Sequence, residues 1–112
     1  MNRTITREEI KSKLDADDAI TIVEALPPKY YEAEHLPGAI NIPHDEIRDK
    51  AGEMLPDKDA FIIVYCSNTA CQNSKVASNL LVQMDYTNVH EYVEGKQDWS
   101  EANLPVETLK AA

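Results

Sequence analysis

The sequence predicts an α/β fold built on a mostly parallel sheet, and three observations carry that prediction. Phe61-Ile-Ile-Val-Tyr-Cys66 is an apolar run rich in β-branched residues with no polar alternation, the pattern of a strand buried on both faces in a parallel sheet. After a short polar loop, Val76, Ala77, Leu80, Leu81 and Met84 recur at spacings of one, three and four, which draws an apolar stripe along a helix over residues 74–84. Strand-like and helical segments then alternate along the chain with short connections, as parallel pairing through right-handed crossovers requires.

The elements follow in order. Thr6-Arg-Glu-Glu9 fits a capping box, with Thr6 as N-cap; its helix runs to Leu14 or Ala16 and buries Ile10 and Leu14. Asp15-Ala-Asp-Asp18 stops it with turn-forming residues, and residues 20–24 form the next strand, ending on the carboxylate of Glu24. Pro27-Pro28 breaks that strand and opens a short helix over residues 28–33, since proline is accepted in a first turn; Tyr30 and Tyr31 are packing residues. His35-Leu-Pro-Gly38 is a turn in which Gly38 is free to take positive φ, and His35 is assigned a structural role. Residues 39–42 give a short strand closed by Pro43, and residues 44–51 a polar helix anchored by Ile47, Met54 and Leu55. Pro56-Asp-Lys-Asp59 turns the chain into the central strand. Asp85 stands where the long helix ends in a left-handed residue, ahead of a strand at residues 89–92. Gly95-Lys-Gln-Asp-Trp99 begins the last helix, with Trp99 as a large buried ring and Asn103 as its C-cap.

A chain of 112 residues is long enough for one core and too short for two, so residues 1–112 are read as a single domain. The longest apolar run is far below a membrane span. The start, Met1-Asn-Arg-Thr-Ile-Thr-Arg-Glu-Glu9, lacks the apolar core of a signal, so a cytoplasmic location is expected. Two cysteines five apart do not make a disulfide scaffold. The formal net charge of −9 argues against nucleic-acid and anionic-membrane partners, whose phosphates need clustered cations.

Chemistry concentrates at Cys66. The strand delivers its thiol to the carboxyl edge of the sheet, where α/β folds bind ligands, and the following helix presents backbone N–H groups to it. Those donors, with Lys75 as the nearest cation, are expected to make Cys66 more acidic than a free thiol at about 8.5 and more reactive than Cys71. The bland alternative is a strand-end cysteine that merely packs.

Three stretches, in order, resemble the rhodanese-like domain: Glu34-His-Leu-Pro-Gly-Ala-Ile-Asn-Ile-Pro43, Val64-Tyr-Cys66 with its loop and helix, and Asn88-Val-His-Glu-Tyr-Val-Glu-Gly-Lys-Gln-Asp-Trp99. The resemblance implies a five-stranded parallel sheet flanked by helices on both faces. It also implies a sulfurtransferase in which Cys66 carries sulfane sulfur as a persulfide. The donor would be thiosulfate, polysulfide or a persulfide, and the acceptor a thiol or a protein; no cofactor or metal is implied. The anion-binding loop would comprise Ser67, Asn68, Thr69, Ala70, Cys71, Gln72 and Asn73, with Lys75 beyond it. The loop departs from the family by lacking an Arg, a bidentate anion clamp, and Leu26 stands where another Arg is frequent. Weak thiosulfate binding is expected, and a phosphatase reading suffers more, since phosphoryl transfer needs its spread negative charge stabilised. Two alternatives stay open: a docking module with a vestigial Cys66, and a redox pair in which Cys71 resolves an oxidised or persulfidated Cys66, against which Cys71 would simply pack under the loop.

Overall fold

The computed structural model describes residues 3–109. Strands β1 (Arg3–Thr4), β2 (Ile20–Glu24), β3 (Ile40–Asn41), β4 (Phe61–Tyr65) and β5 (Val89–Tyr92) form one parallel sheet in the order β1-β5-β4-β2-β3. Helices α1 (Arg7–Asp15), α2 (Pro28–Ala33), α3 (Ile47–Met54), α4 (Asn73–Gln83) and α5 (Gly95–Glu101) connect and follow them. β4 is central: Val64 lies opposite Val23 on one side and Glu91 on the other.

Alternation along the strands splits the core into two layers. Ile62 and Val64 pack with Val23, Val89, Ile47, Ala51, Ala77 and Leu81, on the face covered by α3 and α4. Ile63 and Tyr65 pack with Ile22, Ile10, Tyr92 and Trp99, on the face of α1 and α5. Continuing the even positions past β4 turns Cys66 toward α4.

Most expected elements are present, and the differences have local causes. Arg3 and Thr4 pair with His90 and Glu91 at the sheet's edge; two polar, exposed residues carry no strand pattern, so only four strands announce themselves in the residues. β3 is shorter than residues 39–42. The predicted helix at residues 44–51 begins as a 3-10 turn, His44–Glu46, closed by the Glu46 N–H donating to the Pro43 carbonyl (2.9 Å), and α3 continues to Met54. Leu55 is buried, whereas Met54, Tyr30 and Val76 are exposed. The buried face of α4 is Ser74, Ala77, Ser78 and Leu81, which turns Val76 outward, off the expected stripe. Ile10 is fully buried while Leu14 only flanks the core. Asp85 takes positive φ (72°) as expected, and Asn103 (59°) follows the α5 cap at Ala102. His35 is structural: Nδ1 lies 2.8 Å from the Tyr31 carbonyl, which can only accept, and the ring stacks on Tyr31. Among the described residues no helix is long and apolar enough to cross a membrane.

Candidate active site

Cys66 is the first residue past β4 and is completely buried. Its thiol proton has two acceptors within reach: Ser74 Oγ at 3.3 Å and the Cys71 carbonyl at 3.5 Å. In the other direction, the Ser74 N–H in the first turn of α4 donates to the Cys66 sulfur at 3.4 Å, so the helix end meets the thiol as its position after the loop required. Ser74 Oγ also donates to Glu91 Oε2 (2.9 Å) across buried space.

The loop is held by its own turn and by α5. Asn68 Oδ1 accepts from Ala70 N–H (3.0 Å) and the Asn68 carbonyl from Cys71 N–H (3.1 Å), a side-chain-capped turn of the kind Asn favours. Lys96 and Gln97 N–H groups donate to the Cys66 and Ser67 carbonyls, both at 2.8 Å. These α5 donors tie down loop carbonyls and leave loop amides to face the sulfurs. The close approach requires Gly95: at φ +70° a Cβ there would lie 2.6 Å from the Cys66 carbonyl oxygen, far inside van der Waals contact.

Burial pushes the Cys66 thiol up to about 11, and the Cys71 thiol adds to this, while the amide and hydroxyl of Ser74 oppose it and lose. The hydroxyl is a poor donor to sulfur because its single proton is shared with the Glu91 carboxylate, which can only accept. Cys71 goes the other way. Burial alone would raise it, but the Cys66 thiol, the amides of Ser67 and Asn73 and the Ser67 hydroxyl all favour its thiolate, and its pKa is lowered. The expectation that Cys66 would be more acidic than a free thiol is therefore corrected: desolvation outweighs the donors at Cys66, while the donors prevail at Cys71.

The remaining loop residues are spread around this pair. Ser67 and Asn68 are half-buried and line a neighbouring cavity of about 480 Å³ with Tyr30, Glu34, Lys96 and Ser100; neither cysteine is among its lining residues. Thr69, Ala70 and Gln72 are exposed, Asn73 is half-buried as the first residue of α4, and Lys75 is exposed, outside the set bonded to either thiol.

Three further groups belong to the surroundings without having been singled out from the sequence. Ser74 and Glu91 are the first two. Glu91 carried a usable signal, a charge on the same face as Val89 in a strand buried throughout. Lys96 is the third: its Nζ, on a side chain 11 % exposed, lies 3.0 Å from Glu24 Oε1, and Tyr65 OH donates to the same oxygen at 2.6 Å. Lys96 also reaches the carbonyls of Tyr30 and Glu34. This pair fixes the ends of β2, β4 and α5 beneath the loop, with its positive charge spent on Glu24 rather than offered to a substrate.

The chain is similar to known proteins over nearly its whole length. It is 34 % identical over 103 residues to the HTH-type transcriptional regulator Rv0324 of Mycobacterium tuberculosis, covering 92 % of this chain and 44 % of that protein. Similarity to the thiosulfate sulfurtransferase PspE of Escherichia coli is 37 % over 67 residues, or 60 % of this chain and 62 % of the relative. The chain spans about half the length of the Mycobacterium tuberculosis regulator and of the putative sulfur carrier protein YrkF of Bacillus subtilis, at 44 % and 50 %. Among solved structures, the BH2092 protein of Bacillus halodurans superposes with a TM-score of 0.87 at 24 % identity, over 96 % of this chain and 78 % of that one, a likeness of fold alone. A rhodanese with anions from E. coli superposes with a TM-score of 0.68 at 32 % identity, over 80 % of this chain and 99 % of that one. The family model for the rhodanese-like domain matches residues 6–102, and with a parallel five-stranded sheet that ends its central strand on Cys66, the chain belongs to the rhodanese-like domain family.

Proposed function

We propose that this chain carries sulfane sulfur: Cys66 takes it from a small donor (thiosulfate, polysulfide or a persulfide) and passes it to a thiol or protein acceptor. With thiosulfate, the Cys66 thiolate attacks the outer sulfur, the donor's S–S bond breaks, and sulfite leaves with the bonding pair. Cys66 is then a persulfide. In the second half an acceptor thiolate attacks the outer sulfur and the Cys66 thiolate is released. The observation that carries this reading is the Ser74 N–H, 3.4 Å from the Cys66 sulfur, a preorganised donor that favours negative sulfur in both halves. A relative named as a thiosulfate sulfurtransferase supports the same substrate class.

Residues 1–112 are read as one such domain working in the reducing cytoplasm, where its two free thiols stay reduced; the acidic surface speaks against nucleic-acid and membrane partners. The test is intact-mass spectrometry after incubation with thiosulfate or inorganic polysulfide. The parent should release sulfite from thiosulfate and, when quenched early with an alkylating agent, show one extra sulfur on Cys66; Cys66→Ser should do neither, because serine forms no persulfide.

A second reading, a docking module with a silent cysteine, is favoured by the complete burial of Cys66 and by the loop's lack of Arg. Equal absence of sulfite release and of any trapped persulfide in the parent and in Cys66→Ser would select it.

A further inference from the structure

The two thiols sit in opposite environments although Cys66 Sγ lies 3.5 Å from the carbonyl of Cys71 itself. Cys66 is sealed from solvent, and its S–H has the Cys71 carbonyl and Ser74 Oγ as acceptors. Cys71 is half-exposed. The amides of Ser67 and Asn73, the Ser67 hydroxyl and the Cys66 thiol favour its thiolate. The loop turn closed by Asn68 holds that arrangement without a partner chain. Attack on a sulfur needs a thiolate, access and an adjacent target. Cys71 has all three with respect to Cys66.

We propose that Cys71 is the resolving thiol of this site: its thiolate attacks Sγ of the Cys66 persulfide, a Cys66–Cys71 disulfide forms, and the outer sulfur leaves as hydrosulfide. The bond broken is that between Sγ and the outer sulfur, which departs with the bonding pair and the persulfide's proton. The two cysteine sulfurs together give up two electrons and the sulfane sulfur gains them. Two equivalents of a small external thiol then reopen the disulfide by exchange, becoming a disulfide themselves. The half-exposed Cys71 is the sulfur such a thiol reaches. The inference rests on the carrier reading and adds its outcome: in the absence of an acceptor, bound sulfane sulfur is discharged as sulfide rather than stored.

The experiment uses the full chain, reduced, freed of reductant and given thiosulfate, with a parallel sample pulsed with inorganic polysulfide and desalted. Sulfite reports loading from thiosulfate, and sulfide reports resolution. The parent should release one sulfide for each sulfite and lose two hydrogens in mass, with the Cys66–Cys71 disulfide found in the digest. Cys71→Ser should release sulfite without sulfide and keep one extra sulfur on Cys66. Cys71→Ala provides the same comparison should serine's hydroxyl perturb the loop. A parent that retains its persulfide as Cys71→Ser does, with no disulfide, overturns the resolving role and leaves the carrier reading standing. If the parent and both Cys71 variants release no sulfite and take no sulfur on Cys66 from either donor, both fall.

Discussion

A thiol loses its proton readily when donors face its sulfur and reluctantly when the protein encloses it. At Cys66 enclosure wins and its pKa stands near 11; at Cys71 donors win and the pKa is lowered. Since only the thiolate is alkylated, iodoacetamide at neutral pH should label Cys71 first. Labelling of Cys66 should grow about tenfold per pH unit as alkaline pH approaches that value. Site-resolved mass spectrometry across a pH series measures both curves, and Cys66 reacting ahead of Cys71 at neutral pH would contradict these environments. Glu91 contributes by occupying the proton of Ser74 Oγ. Lys96, neutralising the buried Glu24, keeps the sheet's edge intact and offers little to an incoming anion.

Among the elements, α5 does more than cover the sheet. Its first turn is fastened to the loop through the Cys66 and Ser67 carbonyls, and Gly95 makes that contact possible in two ways, by its positive φ and by the absence of a Cβ. Gly95→Ala incurs strain at φ +70° and a clash with backbone that has no flexible end to yield. A substitution of this kind destabilises by more than about 1 kcal/mol. The expected result is a lower urea midpoint together with faster alkylation of Cys66, as the loop is lifted from α5; an unchanged midpoint and unchanged labelling would show that the two backbones need not meet. Gly38, also at positive φ but with nothing near its Cβ position, should tolerate alanine better.

At the scale of the molecule, two apolar layers on opposite faces of one sheet hold the site from both sides. Trp99 is the largest side chain fully buried. It packs edge-on against Tyr92 at 6.5 Å and donates from Nε1 to the Pro105 carbonyl at 2.8 Å, which ties the chain's last described segment to the α1/α5 face. Trp99→Ala should cost about 3–5 kcal/mol, a large share of the stability of a small domain, and should lower the melting temperature sharply. A melting curve that does not move would refute this packing.

The sequence by itself determined the order and type of nearly every element longer than two residues, because periodicities of two and of 3.6 are local properties of the chain. It also placed Cys66 at the end of the central strand, the capping box at Thr6, the left-handed Asp85 and the burial of Trp99. β1 escaped it, since Arg3 and Thr4 have no strand pattern and are strands only because β5 is beside them. The acidity of the two thiols was decided by tertiary structure alone. Which sulfur an amide faces, how completely Cys66 is enclosed, and that Glu91 and Ser74 meet across seventeen residues are facts of three-dimensional approach. A pKa reports the balance of desolvation and donors in space, and one-dimensional spacing says where a thiol is delivered but not what surrounds it.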